Sequence, residues 1–184
     1  MTNFDYDLLV VGSGPGGQEA AITAAKLGKR VVIIERKPYV GGVSLQTGTI
    51  PSKALREAAY VTSRTASLGM RRTIQSRAAS EPGFLIDALG QKDRVVDRKE
   101  AQLLERLMAE GVMLIPGEAC FIDAHSLQVT GPHGGRQQLS AAFIVLATGS
   151  RPRRPASVPF DKERVLDSTS LLKIRRLPET LVVV

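Results

Sequence analysis

The sequence has a single cysteine, Cys120, among 184 residues. One thiol cannot form an intramolecular disulfide, and the clustered cysteines of zinc sites are missing. The only histidines, His125 and His133, have no ligand-type neighbour at suitable spacing beyond Asp123, so we interpret them as surface residues and predict no metal site. Cysteine use this low favours a reduced compartment, and we expect a cytoplasmic protein in which Cys120 is a small buried strand residue.

Long hydrophobic runs are also missing. The longest, Ala141–Ala147, has seven residues, whereas a membrane-spanning helix needs about 20. Asp5 and Asp7 precede a short apolar segment at the N-terminus, with no basic region and long apolar stretch after it, so we predict neither a secretory signal nor a membrane segment. There are only eight aromatic residues and no tryptophan, against 17 glycines, which favours a backbone that packs closely around another group.

The net charge of +7 is not concentrated in one region. The basic surplus is +2 in residues 1–60, +2 in residues 61–110 and +3 in residues 111–184. Nucleic-acid binding needs a basic stripe, often with interleaved aromatic residues, and neither is present. The charge pattern therefore indicates a solvated surface and predicts no nucleic-acid partner.

The first 35 residues predict a strand, a glycine-rich loop, a helix and a second strand. Apolar runs at Asp5–Val11 and Val31–Ile34 are typical of parallel strands buried on both faces. Between them, Gln18–Leu27 is rich in alanine and is followed by Gly28, a typical helix stop. The unit has the size of a parallel crossover and predicts a Rossmann-like α/β fold.

The rest of the chain extends this pattern. We predict a glycine-rich connection over 36–50, a helix from Pro51 to Ala59, a polar loop over 62–83, one long helix or two stacked helices over 85–107, a third parallel strand at Val112–Ile115, a small antiparallel meander over 118–140, and a buried strand at Ala142–Leu146. The predicted fold class is thus α/β with three layers: a parallel sheet, helices and an antiparallel meander.

The loop after the first strand fits G-x-G-x-x-G, with Gly12, Gly14 and Gly17 at the glycine positions and Ser13 and Pro15 between them. Its position between a strand and a helix is the context that the motif requires. The first glycine permits the tight turn, the second lets the backbone reach a pyrophosphate, and the third allows helix and strand to pack closely. The helix N-terminus then presents amides and partial positive charge to the anion.

Glu35 ends the second strand, 18 residues beyond Gly17. A carboxylate there can accept hydrogen bonds from both ribose hydroxyls of an adenosine, and it disfavours a 2′-phosphate. The bland alternative is a solvated glutamate beside Arg36 and Lys37. The glycine motif and Glu35 together predict that this site binds FAD or NAD.

Three stretches together carry a family resemblance: YDLLVVGSGPGG at the N-terminus, VGGVSLQTGTIPSK at Val40–Lys53 and VLATGSRP at Val145–Pro152. In this order they resemble the flavoprotein pyridine nucleotide oxidoreductases. The resemblance implies an FAD-binding domain over 1–150, a connector over 151–178 and, at 179–184, the first strand of a truncated nicotinamide-nucleotide domain. It also implies NAD and NADP as substrates of the full-length enzyme, a homo-oligomer when full length, and a 184-residue piece that is inactive by itself.

One departure from the family is informative. Its disulfide-reducing members carry two cysteines where this chain has Ser44 and Thr49. A hydroxyl cannot form a redox disulfide or act as a thiolate, so dithiol chemistry by the family mechanism is not expected. The run GTIPSKALRE is most similar to the transhydrogenase branch, which implies hydride transfer between NADPH and NAD⁺ through FAD. The alternatives are a non-catalytic FAD-binding fragment and a diaphorase-like or dihydrolipoamide-dehydrogenase-like flavoprotein with another acceptor.

The resemblance also assigns residues. Lys53 would lie against the flavin ring, where a fixed cation stabilises the reduced anion; the alternative is an ordinary solvated lysine. Ala119 would meet the adenine side through its backbone. The other residues implied to contact the cofactor are Arg36, Gly41, Gly42, Val43, Ser44, Gly48, Thr49, Thr148, Gly149 and Ser150.

Overall fold

The computed structural model describes residues 4–67 and 82–184. They divide into two compact units. Unit 1 contains the described residues up to Gln46 together with Arg98–Arg151, and unit 2 contains those of Thr47–Asp97 together with Pro152–Val184.

The elements follow one another in a strand–helix pattern. In chain order they are β1 (Tyr6–Val11), α1 (Pro15–Lys26), β2 (Val31–Glu35), α2 (Gly42–Gln46), α3 (Thr49–Ser67), α4 (Pro82–Ala109), β3 (Met113–Pro116), β4 (Glu118–Phe121), β5 (Ser126–Thr130), β6 (Arg136–Leu146) and α5 (Ser168–Leu171). The six strands found in the described residues all belong to unit 1. None of the helices in the described part of the chain has the length and apolarity to cross a membrane.

The strands form one sheet in the order β3-β2-β1-β6-β5-β4. The first four are parallel, and β6, β5 and β4 pair antiparallel. Strand β1 lies between β2 and β6, with Leu9 opposite Val32 on one side and Ile144 on the other. This central position explains why the segments of β1 and β2 are almost continuously apolar.

Strand β6 is one strand of 11 residues, whereas the sequence predicted the end of a meander followed by a separate strand at Ala142–Leu146. Its first half pairs antiparallel with β5 as far as Ser140, and its second half pairs parallel with β1 from Ala141. The prediction was wrong because the chain stays extended while its partner changes. No turn separates the two halves at the position where the sequence predicted the meander to end and a new strand to begin.

The core of unit 1 joins the meander to one face of the parallel sheet. Side chains of both parts form one buried cluster: Leu9, Val32, Ile34, Leu127, Val129, Leu139 and Ala141. Val10 and Ile33 are fully buried outside this cluster, as alternation along a strand requires for the opposite face. Helix α1 packs against β1, β2 and β6. The predicted three-layer α/β fold is therefore confirmed.

The helices differ from the prediction mainly at their starts. Helix α3 begins at Thr49 instead of Pro51, and α4 is one helix that begins at Pro82, within the segment predicted as a loop. Proline is well tolerated in a first helical turn, so Pro82 starts the helix instead of preventing it. Of the predicted loop over 62–83, residues 62–67 and 82–83 are helical and residues 68–81 lie outside the described part. The short helix α2 was not predicted, because Gly41 and Gly42 indicated a loop.

In unit 2, the tail contains one capped helical turn. Asp167 caps α5 by accepting from the amides of Thr169 and Ser170, and the Ser170 hydroxyl bonds back. The Arg154 guanidinium also contacts this carboxylate, with Nε 2.7 Å from Oδ2. Residues 181–184 are exposed and are not assigned to a strand, because a strand needs a neighbour to pair with; that 179–184 begin a further domain stays a prediction.

Candidate functional site

Three chain segments meet at the carboxyl end of the parallel strands in unit 1. The amide of Gly12, just after β1, donates to the Ile34 carbonyl at 2.8 Å, and the amide of Ala147, just after β6, donates to the Val11 carbonyl at 2.9 Å. In the sheet, β1 has β2, the next strand along the chain, on one side and β6 on the other, so the direction of the strand order reverses at β1. Such a switch point is where open α/β sheets bind ligands.

Two glycines of the loop are required by close backbone packing. Gly12 has φ +104°, and a Cβ there would overlap the Ala147 carbonyl oxygen. A Cβ on Gly17 would overlap the carbonyl oxygen of Gly12. These glycines bring α1 and the residue after β6 against the turn, as the motif predicts.

The second glycine of the motif faces open space. A Cβ built at Gly14 meets no heavy atom of the described residues within 4 Å, chain neighbours aside. Gly14 is also the N-cap of the 12-residue helix α1, with Pro15 following and no side-chain cap bond. The first amides of the helix have no partner within the helix itself, so this end can bind an anion. These features fit the pyrophosphate of a dinucleotide.

Glu35 lies beside this loop and is held by protein donors. Its Oε2 accepts from the Ser13 amide at 2.9 Å and from the Ser13 hydroxyl at 2.6 Å, and its Oε1 accepts from the Lys37 amide at 2.9 Å. Ser13 is fully buried. The alternative of a merely solvated surface glutamate therefore does not describe this carboxylate.

The segment that leads into α2 lies against the loop. Gly41 and Gly42 have φ +98° and +59°, and a Cβ on Gly42 would be 2.8 Å from the Cα of Gly14. The Gly41 amide lies 3.2 Å from both the carbonyl oxygen and the hydroxyl of Ser13. Both predicted glycines thus approach the Gly14 loop within unit 1.

Glu100 on α4 holds the same segment and was missed by sequence reasoning. Its Oε1 accepts from the Val40 amide at 2.9 Å, and its Oε2 accepts from Nε2 of Gln46 at 3.0 Å. The Gln46 amide group also donates to the Val40 carbonyl at 2.9 Å. No local motif could reveal a contact between residues 60 positions apart. In the sequence, Glu100 was recognisable only as a polar residue on a helix that was predicted from the spacing of its apolar residues.

The remaining predicted residues of unit 1 are more exposed. Arg36 pairs with Glu118 at 3.8 Å, and Ala119 lies in β4 opposite Val129. Within α2, Val43 is exposed and Ser44 is partly exposed. Thr148, Gly149 and Ser150 follow β6 and are exposed, with Gly149 at φ +71°.

Three predicted residues belong to unit 2. Gly48 precedes α3, and its carbonyl accepts from the Ser52 amide at 3.0 Å. Thr49 is the first residue of α3. Lys53 is an exposed residue near the start of the same helix.

The two histidines and the cysteine, which are residue types that commonly bind metals, make other contacts or are exposed. His125 Nδ1 lies 3.1 Å from the Ala141 carbonyl, and its ring is 5.1 Å from that of Phe4. His133 is exposed. Cys120 is exposed, and the prediction that it is buried was wrong: β4 is an edge strand, and it is the neighbouring Ala119 that packs on the core.

Comparison with known proteins assigns the chain to a family. The family model described as pyridine nucleotide-disulphide oxidoreductase matches residues 6–184. The chain belongs to this family.

Several curated relatives carry a more specific name. Proteins named soluble pyridine nucleotide transhydrogenase from Mycobacterium bovis, Pectobacterium atrosepticum and Colwellia psychrerythraea are 42%, 39% and 37% identical to the chain over 98% of its length. The chain spans 38% of the length of these relatives.

Solved structures agree on the fold. The chain is similar to the HOCl-induced flavoprotein disulfide reductase RclA from Escherichia coli, with a TM-score of 0.72 and 28% identity over 94% of this chain and 35% of that one. For LpdA from Mycobacterium tuberculosis the TM-score is 0.78 at 24% identity, over 94% of this chain and 38% of that one. The latter likeness concerns the fold alone.

Proposed function

We propose that this chain is the FAD-binding part of a soluble pyridine nucleotide transhydrogenase, an oxidoreductase that transfers hydride between NADPH and NAD⁺ without a redox disulfide. The observation that carries the proposal is the glycine-rich loop, in which Gly14 faces open space and the N-terminus of α1 has no side-chain cap. The same chain has hydroxyls, Ser44 and Thr49, at the two positions where disulfide reductases have thiols. The names of the relatives support the same branch.

The residues present fit FAD. The α1 N-terminus and the Gly14 backbone would bind the pyrophosphate, and Glu35 would accept from the adenosine ribose. Thr148–Ser150 and Ala119 would complete the site through backbone groups. The chemistry that FAD supplies when bound is reversible hydride exchange with nicotinamide nucleotides.

Lys53 is proposed to tune that chemistry. A fixed ammonium near the flavin would stabilise negative charge that develops on reduction. The support is the I-P-S-K match at Ile50–Lys53 and the exposure of the Lys53 side chain, which leaves its charge available to a ligand. This is the role that the family resemblance implies for Lys53.

We propose that electrons pass as hydride and not through a redox disulfide, because Ser44 and Thr49 are hydroxyl residues. Neither hydroxyl can carry the two electrons that a dithiol carries. Cys120 is a single thiol on an edge strand of unit 1, and a single thiol cannot replace an intramolecular pair.

The test uses the complete protein under anaerobic conditions. Addition of NADPH is expected to bleach the visible flavin band, and subsequent NAD⁺ is expected to restore it. A flavin that is bleached but recovers only with a quinone or oxygen would identify the diaphorase-like alternative. A protein without flavin absorbance, and without FAD uptake on addition, would refute the proposal.

A second candidate concerns the 184 residues by themselves. Because the chain spans 38% of the length of its relatives, we propose that these residues bind FAD without transhydrogenase turnover. Detectable turnover by the 184-residue chain would contradict this. A cytoplasmic location, a homo-oligomeric state and the lack of nucleic-acid or membrane partners are proposed together with the function.

A further inference from the structure

We propose that Ser13 is a positioning residue that fixes Glu35 so that a single oxygen, Oε1, is left to bind one hydroxyl of the adenosine ribose. This inference rests on the proposed FAD site. It differs from the expectation from sequence alone, in which Ser13 contacts the cofactor and Glu35 accepts from both ribose hydroxyls.

The burial of Ser13 assigns its side chain to the protein. Its relative exposure is 0%, which makes it the one buried polar residue of the described core. Its hydroxyl donates to Glu35 Oε2 at 2.6 Å and lies 3.2 Å from the amide of Gly41, from which it accepts. A buried hydroxyl with its donor role and an acceptor role filled inside the protein does not contact the ligand directly, so its effect on the ligand passes through Glu35.

The hydrogen bonds of Glu35 determine what remains for a ligand. A carboxylate has about four acceptor sites. Three donors already occupy them: the Ser13 amide and hydroxyl on Oε2, and the Lys37 amide on Oε1. With both sites of Oε2 filled, the open site is on Oε1, and it suits one hydroxyl donor.

The same contacts link the ribose site to the neighbouring segment. Because the Ser13 hydroxyl joins Glu35 Oε2 to the Gly41 amide, the orientation of the carboxylate depends on the segment that leads into α2. Loss of this hydroxyl would let the carboxylate rotate. The Gly41 amide would keep a partner, since it also lies 3.2 Å from the Ser13 carbonyl oxygen.

The chain offers a matched control at the opposite end of β1. Ser140 donates to Asp5 Oδ2 from its amide at 2.9 Å and from its hydroxyl at 2.7 Å. This pair has the same two donors on one carboxylate oxygen as Ser13 and Glu35. The pair lies at the N-terminal end of β1, whereas the site lies at its carboxyl end, so Ser140→Ala makes the same chemical change away from the ligand.

The experiment measures FAD affinity of flavin-free protein for Ser13→Ala, Glu35→Gln, the double variant and Ser140→Ala. We expect Ser13→Ala to weaken FAD binding about tenfold, the scale of one charge-assisted hydrogen bond, and Ser140→Ala to leave it unchanged. The double variant should bind no more weakly than Glu35→Gln, because Ser13 acts through Glu35. Additive losses, or an unchanged affinity in Ser13→Ala, would overturn the inference.

A measurement on the unaltered protein makes the test independent of variant folding. FAD analogues that lack either the 2′- or the 3′-hydroxyl of the adenosine ribose are compared with FAD. Loss of affinity with one analogue only is expected; equal losses with both, or no loss with either, would overturn the inference. If the unaltered protein does not bind FAD at all, it is the proposed function that fails.

Discussion

At the scale of single residues, the glycine-rich loop divides its glycines between two tasks. Gly12 and Gly17 are required by contacts within the protein, since a Cβ at either would overlap a carbonyl oxygen. Gly14 is required by nothing in the described protein, because a Cβ there meets open space. The two kinds of glycine should therefore respond differently to the same substitution.

Gly17→Ala and Gly14→Ala should separate stability from FAD binding. The overlap with the Gly12 carbonyl predicts that Gly17→Ala lowers the free energy of unfolding by about 1–3 kcal/mol. Gly14→Ala should change stability much less but weaken FAD binding, because its methyl group occupies the space proposed for the pyrophosphate. Denaturant unfolding and FAD titration measure the two effects.

Gly16→Ala is the control for helix propensity. It lies in the same helical turn, and a Cβ there meets no described atom within 4 Å, chain neighbours and helix backbone aside. Alanine should leave stability unchanged or raise it by up to about 1 kcal/mol. If Gly17→Ala proves as stable as Gly16→Ala, the close packing of α1 on the turn is refuted.

At the scale of elements, helix α4 contributes a polar anchor to the site. Glu100 accepts from the Val40 amide and from Gln46, and so fixes both ends of the segment that contains Gly41 and Gly42. Helix α4 thus also fixes the position of a segment that we propose binds the cofactor.

Glu100→Gln should loosen this segment. The substituted amide offers one acceptor oxygen where the carboxylate offers two, so either the Val40 amide or the Gln46 amide group loses position 100 as an acceptor. We expect a loss of about 1–3 kcal/mol in the free energy of unfolding and faster hydrogen exchange at the Val40 amide. Glu105→Gln, at an exposed position of the same helix, should leave both unchanged; equal exchange rates in the two variants would argue against the anchor.

The cap of α5 predicts a dependence of stability on pH. The Ser170 amide, and then Arg154, lower the pKa of Asp167 from 3.8 to about 2. A folded-state pKa below the unfolded value stabilises the fold above about pH 4, and this contribution disappears as the pH falls towards 2. Asp167→Asn should therefore lower Tm near neutral pH, and its difference from the unaltered protein should shrink between pH 4 and pH 2. A difference that stays constant across this range would contradict the prediction.

How far the elements could be predicted depended on whether their signals were local. The β1 and β2 segments and the Gly12–Gly17 loop were recognisable because an apolar run and a glycine motif occupy adjacent residues. The continuity of β6 was not, because its change of partner from β5 to β1 at Ser140 and Ala141 depends on β1, which lies more than 100 residues earlier in the chain.

The site shows the same division. Glu35 was identified by its place at the end of β2, but the Ser13 contacts that hold it depend on the folded turn. Glu100 was missed because its partners lie about 60 residues earlier in the chain. Sequence patterns thus predicted which residues face a ligand, and the structure shows which residues hold Glu35 and the Val40–Gln46 segment in place.

At the scale of the whole molecule, the proposed chemistry predicts insensitivity to thiol reagents. After anaerobic reduction with NADPH, treatment of the complete protein with iodoacetamide should leave transhydrogenase turnover intact, because Ser44 and Thr49 provide no reducible pair. Cys120 is exposed and will react, so a Cys120→Ser variant serves as the control. Inactivation of that variant only after reduction would show that a redox disulfide exists and would refute the proposed route.

The partner change in β6 also has a consequence for the order of assembly. Strand β1 pairs with β6, which ends at Leu146. The next residue, Ala147, packs with its carbonyl group against Gly12 and so completes the packing around the turn. During synthesis β1, α1 and β2 emerge early, yet the turn cannot close until residue 147 has left the ribosome. Contacts of such long sequence separation form slowly, so we expect the nucleotide loop to be among the last parts of unit 1 to acquire its final shape.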